Sequence, residues 1–184
     1  MQITYSDNIA SWEYKNQTVE IKLSKILHAK YEENENIIIV SCGENFISKN
    51  FFYYSLAGKL LGQQDLEAGT IEWNYDGLHK LEFQFVNSIV FSPINKLIFS
   101  IYRQSKDRGS VSKLEIYNFE SKQVYQIDSP KGYTMIYITE IGNEKVRVAC
   151  EAIDRENYDS YGRSRFHFTL NLKDQKWAKD GLAY

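Results

Sequence analysis

The chain has 184 residues, a formal net charge of −2 and a sequence pI of about 6.0. This length suits one domain with a substantial core, and 43% hydrophobic with 25% charged residues is ordinary for a globular protein. The charge argues against nucleic acid as the direct partner, because nucleic-acid binders carry a basic stripe that displaces counterions from phosphates. The densest basic segment, 103–108, is interpreted as a solvated loop between strands.

Targeting and membrane segments are not indicated by the sequence. Residues 1–8 lack the basic and apolar regions of a secretory signal. The longest strongly apolar run, Ile37–Val40, is far too short to span a bilayer. We therefore expect a cytoplasmic, bacterial-type protein with no membrane partner. Cys42 and Cys150 lie in apolar strand contexts 108 positions apart, which favours buried free thiols, with a disulfide as the weaker alternative.

A hairpin pattern recurs along the chain, in which alternating apolar residues lead into a short polar turn and a returning apolar strand. It occurs at 12–19, 54–61, 73–78, 117–124 and 170–177. Alternation with period two across such turns predicts antiparallel hairpins. Recurrence of one supersecondary unit is typical of repeat architectures of the propeller kind.

The first half of the chain predicts one loose blade-like unit over 19–66, followed by a hairpin. Its strands are predicted at 19–23, 25–31, 36–42, 51–56 and 59–61. The continuous apolar run at 36–42 indicates a strand buried on both faces. The following hairpin joins 70–75 to 78–86 across Asp76-Gly77, the strongest short turn signal in the chain.

The second half predicts two fuller units, 89–128 and 133–178, with four strands each. Their strands are predicted at 89–91, 96–103, 112–119, 123–127, 135–141, 145–153, 165–172 and 176–177. The predicted fold is therefore all-β, with antiparallel four-stranded blade-like repeats in a partial or open propeller. A β-sandwich or barrel is the alternative. One domain over 1–184 is predicted, because no linker divides the chain.

No catalytic, metal or cofactor site is indicated. The three histidines, His28, His79 and His167, lie tens of residues apart, whereas metal ligands cluster at short spacing. No phosphate-binding or dinucleotide-binding motif occurs. The carboxylates are not paired in apolar segments, where a raised pKa would serve acid catalysis. We therefore expect a protein without enzymatic activity.

Two polar loops are the candidate partner-binding residues. The longer spans 151–163 and combines carboxylates with tyrosines, a composition suited to a basic protein surface. The shorter spans 31–36 and is placed by the sequence at the corresponding end of the first unit. The candidate contacts are Glu151, Asp154, Glu156, Tyr158, Asp159, Tyr161, Glu32, Glu33 and Glu35.

This profile of a compact all-β chain with acidic and aromatic loops resembles immunity proteins of bacterial toxin systems, such as those of contact-dependent growth inhibition. The resemblance is one of general character over the whole chain and carries no functional residues with it. It implies inhibition by occlusion of a cognate basic toxin, for example a nuclease. The alternatives are a non-enzymatic scaffold that pairs through sheet edges and a sugar hydrolase, which rests on fold analogy alone.

Overall fold

The computed structural model describes residues 1–107, 110–142 and 144–183. Within these ranges the chain has seventeen strands and one three-residue 3-10 turn, Arg155–Asn157. The strands form four antiparallel sheets, in each of which a strand pairs only with its neighbours in sequence. No helix in the described ranges is long and apolar enough to cross a membrane. The all-β prediction, with four-stranded blade-like sheets, is confirmed.

The chain divides into two compact units, Met1–Glu82 and Phe83–Tyr184. Whether they act as one domain stays a prediction. The first unit begins with a three-stranded sheet. Its strands are β1 (Ile3–Tyr5), β2 (Ile9–Tyr14) and β3 (Gln17–Lys22).

The strand predicted at 19–23 lies in this first sheet and not in the predicted unit 19–66. The reason is the two-residue turn Lys15-Asn16, whose φ angles of 50° and 61° are those of a type I′ hairpin. This turn folds β3 back onto β2, with Val19 opposite Trp12. The boundary of the first blade-like unit was therefore placed too early.

The second sheet has six strands, because the four predicted over 25–66 continue into the two of the following predicted hairpin. They are β4 (Ile26–Glu32), β5 (Ile37–Glu44), β6 (Ile47–Tyr54), β7 (Leu60–Asp65), β8 (Thr70–Asn74) and β9 (Leu78–Glu82). The sheet continues because Asp65 Oδ1 accepts hydrogen bonds from the N–H groups of Glu67 and Ala68, at 2.8 and 2.9 Å. The tight turn that results lays β8 beside β7. The predicted hairpin across Asp76-Gly77 is confirmed as β8–β9.

The core of the first unit lies between its two sheets. Trp12 is 2% exposed and packs with Ile38 and Val40 of β5. The indole N–H of Trp12 donates to the carbonyl of Leu56 at 2.7 Å. Neighbouring residues Ile37 and Ile38 are both buried, so β5 is covered on both faces, as its continuous apolar run predicted.

The second unit consists of two four-stranded sheets, which confirms the strand content predicted for 89–128 and 133–178. The third sheet contains β10 (Val86–Ser92), β11 (Leu97–Arg103), β12 (Ser112–Asn118) and β13 (Gln123–Asp128). The fourth contains β14 (Tyr133–Ile141), β15 (Lys145–Ala152), β16 (Arg165–Asn171) and β17 (Lys176–Leu182).

The core of the second unit forms where these two sheets face each other. Alternate residues of β11, β12, β14, β15 and β16 enter it, as period-two strands require. The fully buried members are Phe99, Ile101, Leu114, Ile116, Met135, Val146, Val148, Cys150 and Leu170. This packing holds rigid the strand ends from which the connecting loops emerge.

Candidate interaction surface

The loops that connect second and third strands emerge at one end of the second unit. They are 104–111 in the third sheet and 153–164 in the fourth, and the link 129–132 between the sheets lies at the same end. The hydroxyl of Ser112, the first residue of β12, contacts the Ser129 hydroxyl at 2.9 Å and accepts from the Met135 N–H at 2.6 Å, which ties the start of β12 to the link and to β14. Part of the predicted basic segment 103–108 lies outside the described residues.

Loop 153–164 is anchored at its base. The Ile153 N–H donates to the Gly132 carbonyl at 3.0 Å. Gly132 has a φ of 82°, a left-handed conformation that favours glycine, and it lies against the side-chain amide of Asn157. The Tyr133 hydroxyl donates to the Asn157 carbonyl at 3.2 Å and accepts from Lys179 Nζ at 2.8 Å. The base of the loop is therefore fixed to the sheet.

The tip of the loop is fastened by one carboxylate. Asp159 Oδ1 accepts from the N–H groups of Tyr161 and Arg163, at 2.9 and 2.8 Å. Asp159 Oδ2 accepts from Arg163 Nε at 2.6 Å. Partial burial raises the pKa of Asp159, but the hydrogen bonds and the charge of Arg163 outweigh it and lower the pKa overall. Asp159 therefore organises the loop and has little capacity left for a partner.

Two tyrosines predicted as contacts are presented by this fastened loop. Tyr161 is 83% exposed, and the guanidinium carbon of Arg163 lies 5.0 Å from its ring centroid. Tyr158 is also exposed, directly after the 3-10 turn. An aromatic ring that is both exposed and held in place loses little conformational entropy on binding. The tip therefore has the properties of an interface anchor.

The four predicted carboxylates of the loop have different surroundings. Glu151 lies 3.6 Å from the guanidinium of Arg165, and Asp159 is paired with Arg163. Asp154 and Glu156 are exposed, and no ion pair joins either of them to another residue in the described ranges. These two are the predicted carboxylates outside an ion pair, and Arg155 lies between them, so the loop is less acidic than its sequence implies.

The second predicted patch lies at a different place in its sheet. Glu32 ends β4 and forms an ion pair with Lys30 at 2.7 Å, while Glu33 is exposed and Glu35 half-buried in the turn that follows. This turn joins the first and second strands of the six-stranded sheet, whereas 153–164 joins a second to a third strand. In an antiparallel meander those connections leave opposite ends. The expectation that the two patches occupy corresponding ends is therefore wrong.

A buried carboxylate that sequence reasoning missed lies in the third sheet. Glu115 is 9% exposed and accepts hydrogen bonds from the hydroxyls of Tyr102 at 2.9 Å and Tyr117 at 2.6 Å. The ring of Phe83 packs against both tyrosines, with centroids 6.4 and 5.8 Å apart. Desolvation and the hydrogen bond to Glu115 raise the pKa of Tyr117. The alternation of 112–118 places Glu115 and Tyr117 together on the face opposite the core, whereas the pairing of β11 with β12 brings Tyr102 beside them.

The described residues hold no group of three or more His, Cys, Asp or Glu side chains arranged to bind a metal ion. His79 stacks on Trp73 at 5.5 Å, and His28 lies edge-on to Tyr5. Cys42 and Cys150 are free and buried, as the sequence predicted. Burial raises the pKa of Cys150 to about 12.

These features define an all-β protein of blade-like antiparallel sheets with a fastened aromatic loop. No family model and no curated protein matches the sequence. The chain is similar to the crystal structure of the N-terminal domain of Nup159, with 11% identity and a TM-score of 0.43. It is also similar to a chain in the complex of S. cerevisiae Dbp5 bound to Nup159, Gle1, IP6 and ADP, with 10% identity and a TM-score of 0.45.

Each match covers 97% of this chain and 57% of the matched chain. The chain therefore spans a little over half the length of the structures it matches. Because both TM-scores lie below 0.5, these matches carry no conclusion about function.

Proposed function

We propose that this chain is a non-enzymatic protein-interaction module that binds its partner through loop 153–164. The observation that carries the proposal is Tyr161, which is 83% exposed although its backbone N–H is held by Asp159. Tyrosine and arginine are enriched among the residues that dominate binding energy at protein interfaces. Tyr161 and Arg163 stand together at the tip of the loop, 5.0 Å apart.

The charges of loop 153–164 favour a partner whose surface is basic or carries charges of both signs. Asp154 and Glu156 flank Arg155 on the exposed 3-10 turn. Two carboxylates at the rim of an interface raise the association rate with a basic surface and contribute less to affinity. Mutation of Asp154 and Glu156 is therefore expected to change the salt dependence of the association rate. Loss of the Tyr161 side chain is expected to change the dissociation rate.

The narrower form of the proposal is an inhibitor that neutralises a basic toxin, as immunity proteins do. Its support is the exposed pair Asp154 and Glu156 beside the aromatic tip. In this form the carboxylates meet Lys and Arg of the toxin cleft, and Tyr161 fills the groove between them. The cytoplasm of a bacterial cell is the proposed place of action.

Affinity capture from the producing cell, followed by titration with the purified partner, tests the module. Tyr161→Thr is expected to weaken binding by at least about 30-fold, the loss that truncating a dominant interface tyrosine causes. The matched control is Tyr137→Thr, the same change at a tyrosine of β14 that is 40% exposed. Equal affinity of wild type and Tyr161→Thr contradicts the proposal.

Expression of the captured partner alone tests the narrower form. A toxin halts growth by itself and becomes harmless when this chain is co-expressed. The double variant Asp154→Lys/Glu156→Lys is then expected to rescue growth poorly while its thermal unfolding stays within about 1 kcal/mol of wild type, because exposed loop changes cost little stability. A captured partner that does not halt growth when expressed alone contradicts the inhibitor form of the proposal. It does not contradict the proposal of an interaction module.

A further inference from the structure

The hairpin between β5 and β6 ends in an unusual turn. Glu44 pairs with Ile47, so only Asn45 and Phe46 form the loop, with φ angles of 51° and 61°. This is the geometry of a type I′ turn, in which the second position favours glycine or asparagine. In the hairpin between β2 and β3, Asn16 holds that position at a φ of 61°. Phe46 occupies it here, although a bulky residue is strained in the left-handed region.

Phe46 also has the most exposed side chain among the large hydrophobic residues described. It is 97% exposed, and the adjacent Ile47 is 64% exposed. A phenylalanine normally stabilises a fold by being buried, and this one contributes neither burial nor a favourable turn. Residues held in strained conformations cluster at functional sites. The two observations together indicate that the ring serves an interaction outside the chain.

Backbone contacts fix the hairpin that carries this ring. A Cβ at Gly43 would lie 1.9 Å from the carbonyl oxygen of Ile47, so the two strands approach as closely as only glycine permits. The Gly43 N–H donates to the carbonyl of Lys25 at 3.0 Å, which fastens the base of the hairpin to the start of β4. The ring of Phe46 therefore projects from a fixed backbone.

The charges around the hairpin cancel. Lys25 pairs with Glu44 directly beside the turn. Lys49 of β6 pairs with Glu67 at 3.1 Å. Anionic membranes and nucleic acids attract surfaces with unpaired Lys or Arg, and this rim offers balanced charge instead. The complementary surface is therefore apolar, without strong charge of either sign.

We propose that the β5–β6 hairpin is a binding finger that inserts Phe46 into an uncharged apolar cup on a partner protein. The proposal rests on the proposed function of the chain as an interaction module, and it uses residues of the first unit, whereas loop 153–164 belongs to the second unit. Ile47 contacts the edge of the cup, while the Lys25–Glu44 ion pair stays exposed to solvent at the rim of the interface.

Phe46→Gly separates binding from folding. Glycine relieves the left-handed strain at this position, so thermal unfolding is expected at the wild-type temperature or above. The same change removes the ring, and affinity for the partner is expected to fall by at least about 10-fold, as for the loss of one buried aromatic side chain. The matched control is Leu78→Thr, because Leu78 is 73% exposed in the same unit but lies at the start of β9.

The partner is identified by ultraviolet crosslinking in the producing cell, with p-benzoylphenylalanine in place of Phe46 or, as the control, of Leu78. One protein adduct is expected at position 46 and none of that protein at position 78. Titration of the purified adduct protein with wild type, Phe46→Gly and Leu78→Thr then measures the contribution of the ring. No position-specific protein adduct, or equal affinity of wild type and Phe46→Gly, overturns the finger.

Two further measurements distinguish a failure of this proposal from a failure of the proposed function. Cosedimentation of wild type with vesicles of equal phosphatidylcholine and phosphatidylglycerol, lost in Phe46→Gly, overturns the protein cup in favour of a membrane surface. Titration of the same partner with Tyr161→Thr distinguishes the two surfaces. Loss of affinity in Tyr161→Thr alone overturns the finger and leaves the proposed function standing, whereas unchanged affinity in both variants overturns both.

Discussion

The stability that the hydrogen bonds of buried Glu115 contribute to the third sheet can be tested quantitatively. Glu115 is 9% exposed, and its two oxygens accept from Tyr102 at 2.9 Å and Tyr117 at 2.6 Å. Hydrogen bonds to charged groups contribute about 1.5–3 kcal/mol each. The shorter bond lies in the range of strong O–H···O⁻ contacts, so we expect Tyr117→Phe to cost about 2–3 kcal/mol and Tyr102→Phe about 1.5 kcal/mol.

The double variant leaves the carboxylate buried without these two donors and is expected to cost about 3–5 kcal/mol. Adding Glu115→Leu removes the charge as well, and the triple variant is expected to recover more than half of that loss, because an apolar set avoids the desolvation penalty. Amide hydrogen exchange of β11 and β12 measures the local free energy of opening. A double variant that loses less than about 1 kcal/mol, or a triple variant less stable than the double, would refute a desolvated carboxylate.

Three further outcomes are expected. Cys150, with its pKa raised by burial to about 12, is expected to react with a disulfide reagent at pH 8 only as fast as the chain unfolds, and a fast reaction in native buffer would contradict this. Asp159→Ala is expected to loosen the tip of loop 153–164, so that partner affinity falls about 10-fold or more while thermal unfolding shifts by less than about 3 °C, measured by calorimetry. For His167, burial and the charge of Arg147 lower the pKa, with Asp180 partly opposing, so the folded state binds its proton less readily than the unfolded state. Stability is therefore expected to fall as pH drops below about 6.5, and His167→Gln is expected to flatten that part of the profile, measured by urea unfolding at pH 5 and 7.

Local patterns predicted the hairpins well, because period-two alternation and turn chemistry act over a few residues. Asp76-Gly77 closes the β8–β9 hairpin as predicted. The division into sheets was less predictable. The turn 66–69 has no Asn-Gly or Asp-Gly pair, and its closure by the side chain of Asp65 is seen only in the structure. Sequence reasoning therefore found the strands of 25–66 but not the extension to six strands.

The loop that carries the candidate contacts was predicted, and its internal contacts were not. The exposed loop with Tyr158 and Tyr161 lies where the pattern placed it. The role of Asp159 as the fastener of the tip was not predictable, because carboxylates in a polar loop look alike in sequence. Phe46 was also missed, since an apolar residue after a strand reads as continued burial. Its signal was the neighbouring Asn45, a residue that favours left-handed turns.

The pairing of each strand only with its neighbours in sequence bears on how the chain is made. Loop closure in such a meander costs little entropy, because no connection between paired strands is longer than the twelve residues of loop 153–164. Folding dominated by local contacts is fast for an all-β protein. As the polypeptide leaves the ribosome, each sheet can complete its ladder from residues already synthesised, without waiting for a distant strand. The edge strand of an incomplete sheet is therefore unpaired only until the next hairpin has been added, which limits aggregation during synthesis.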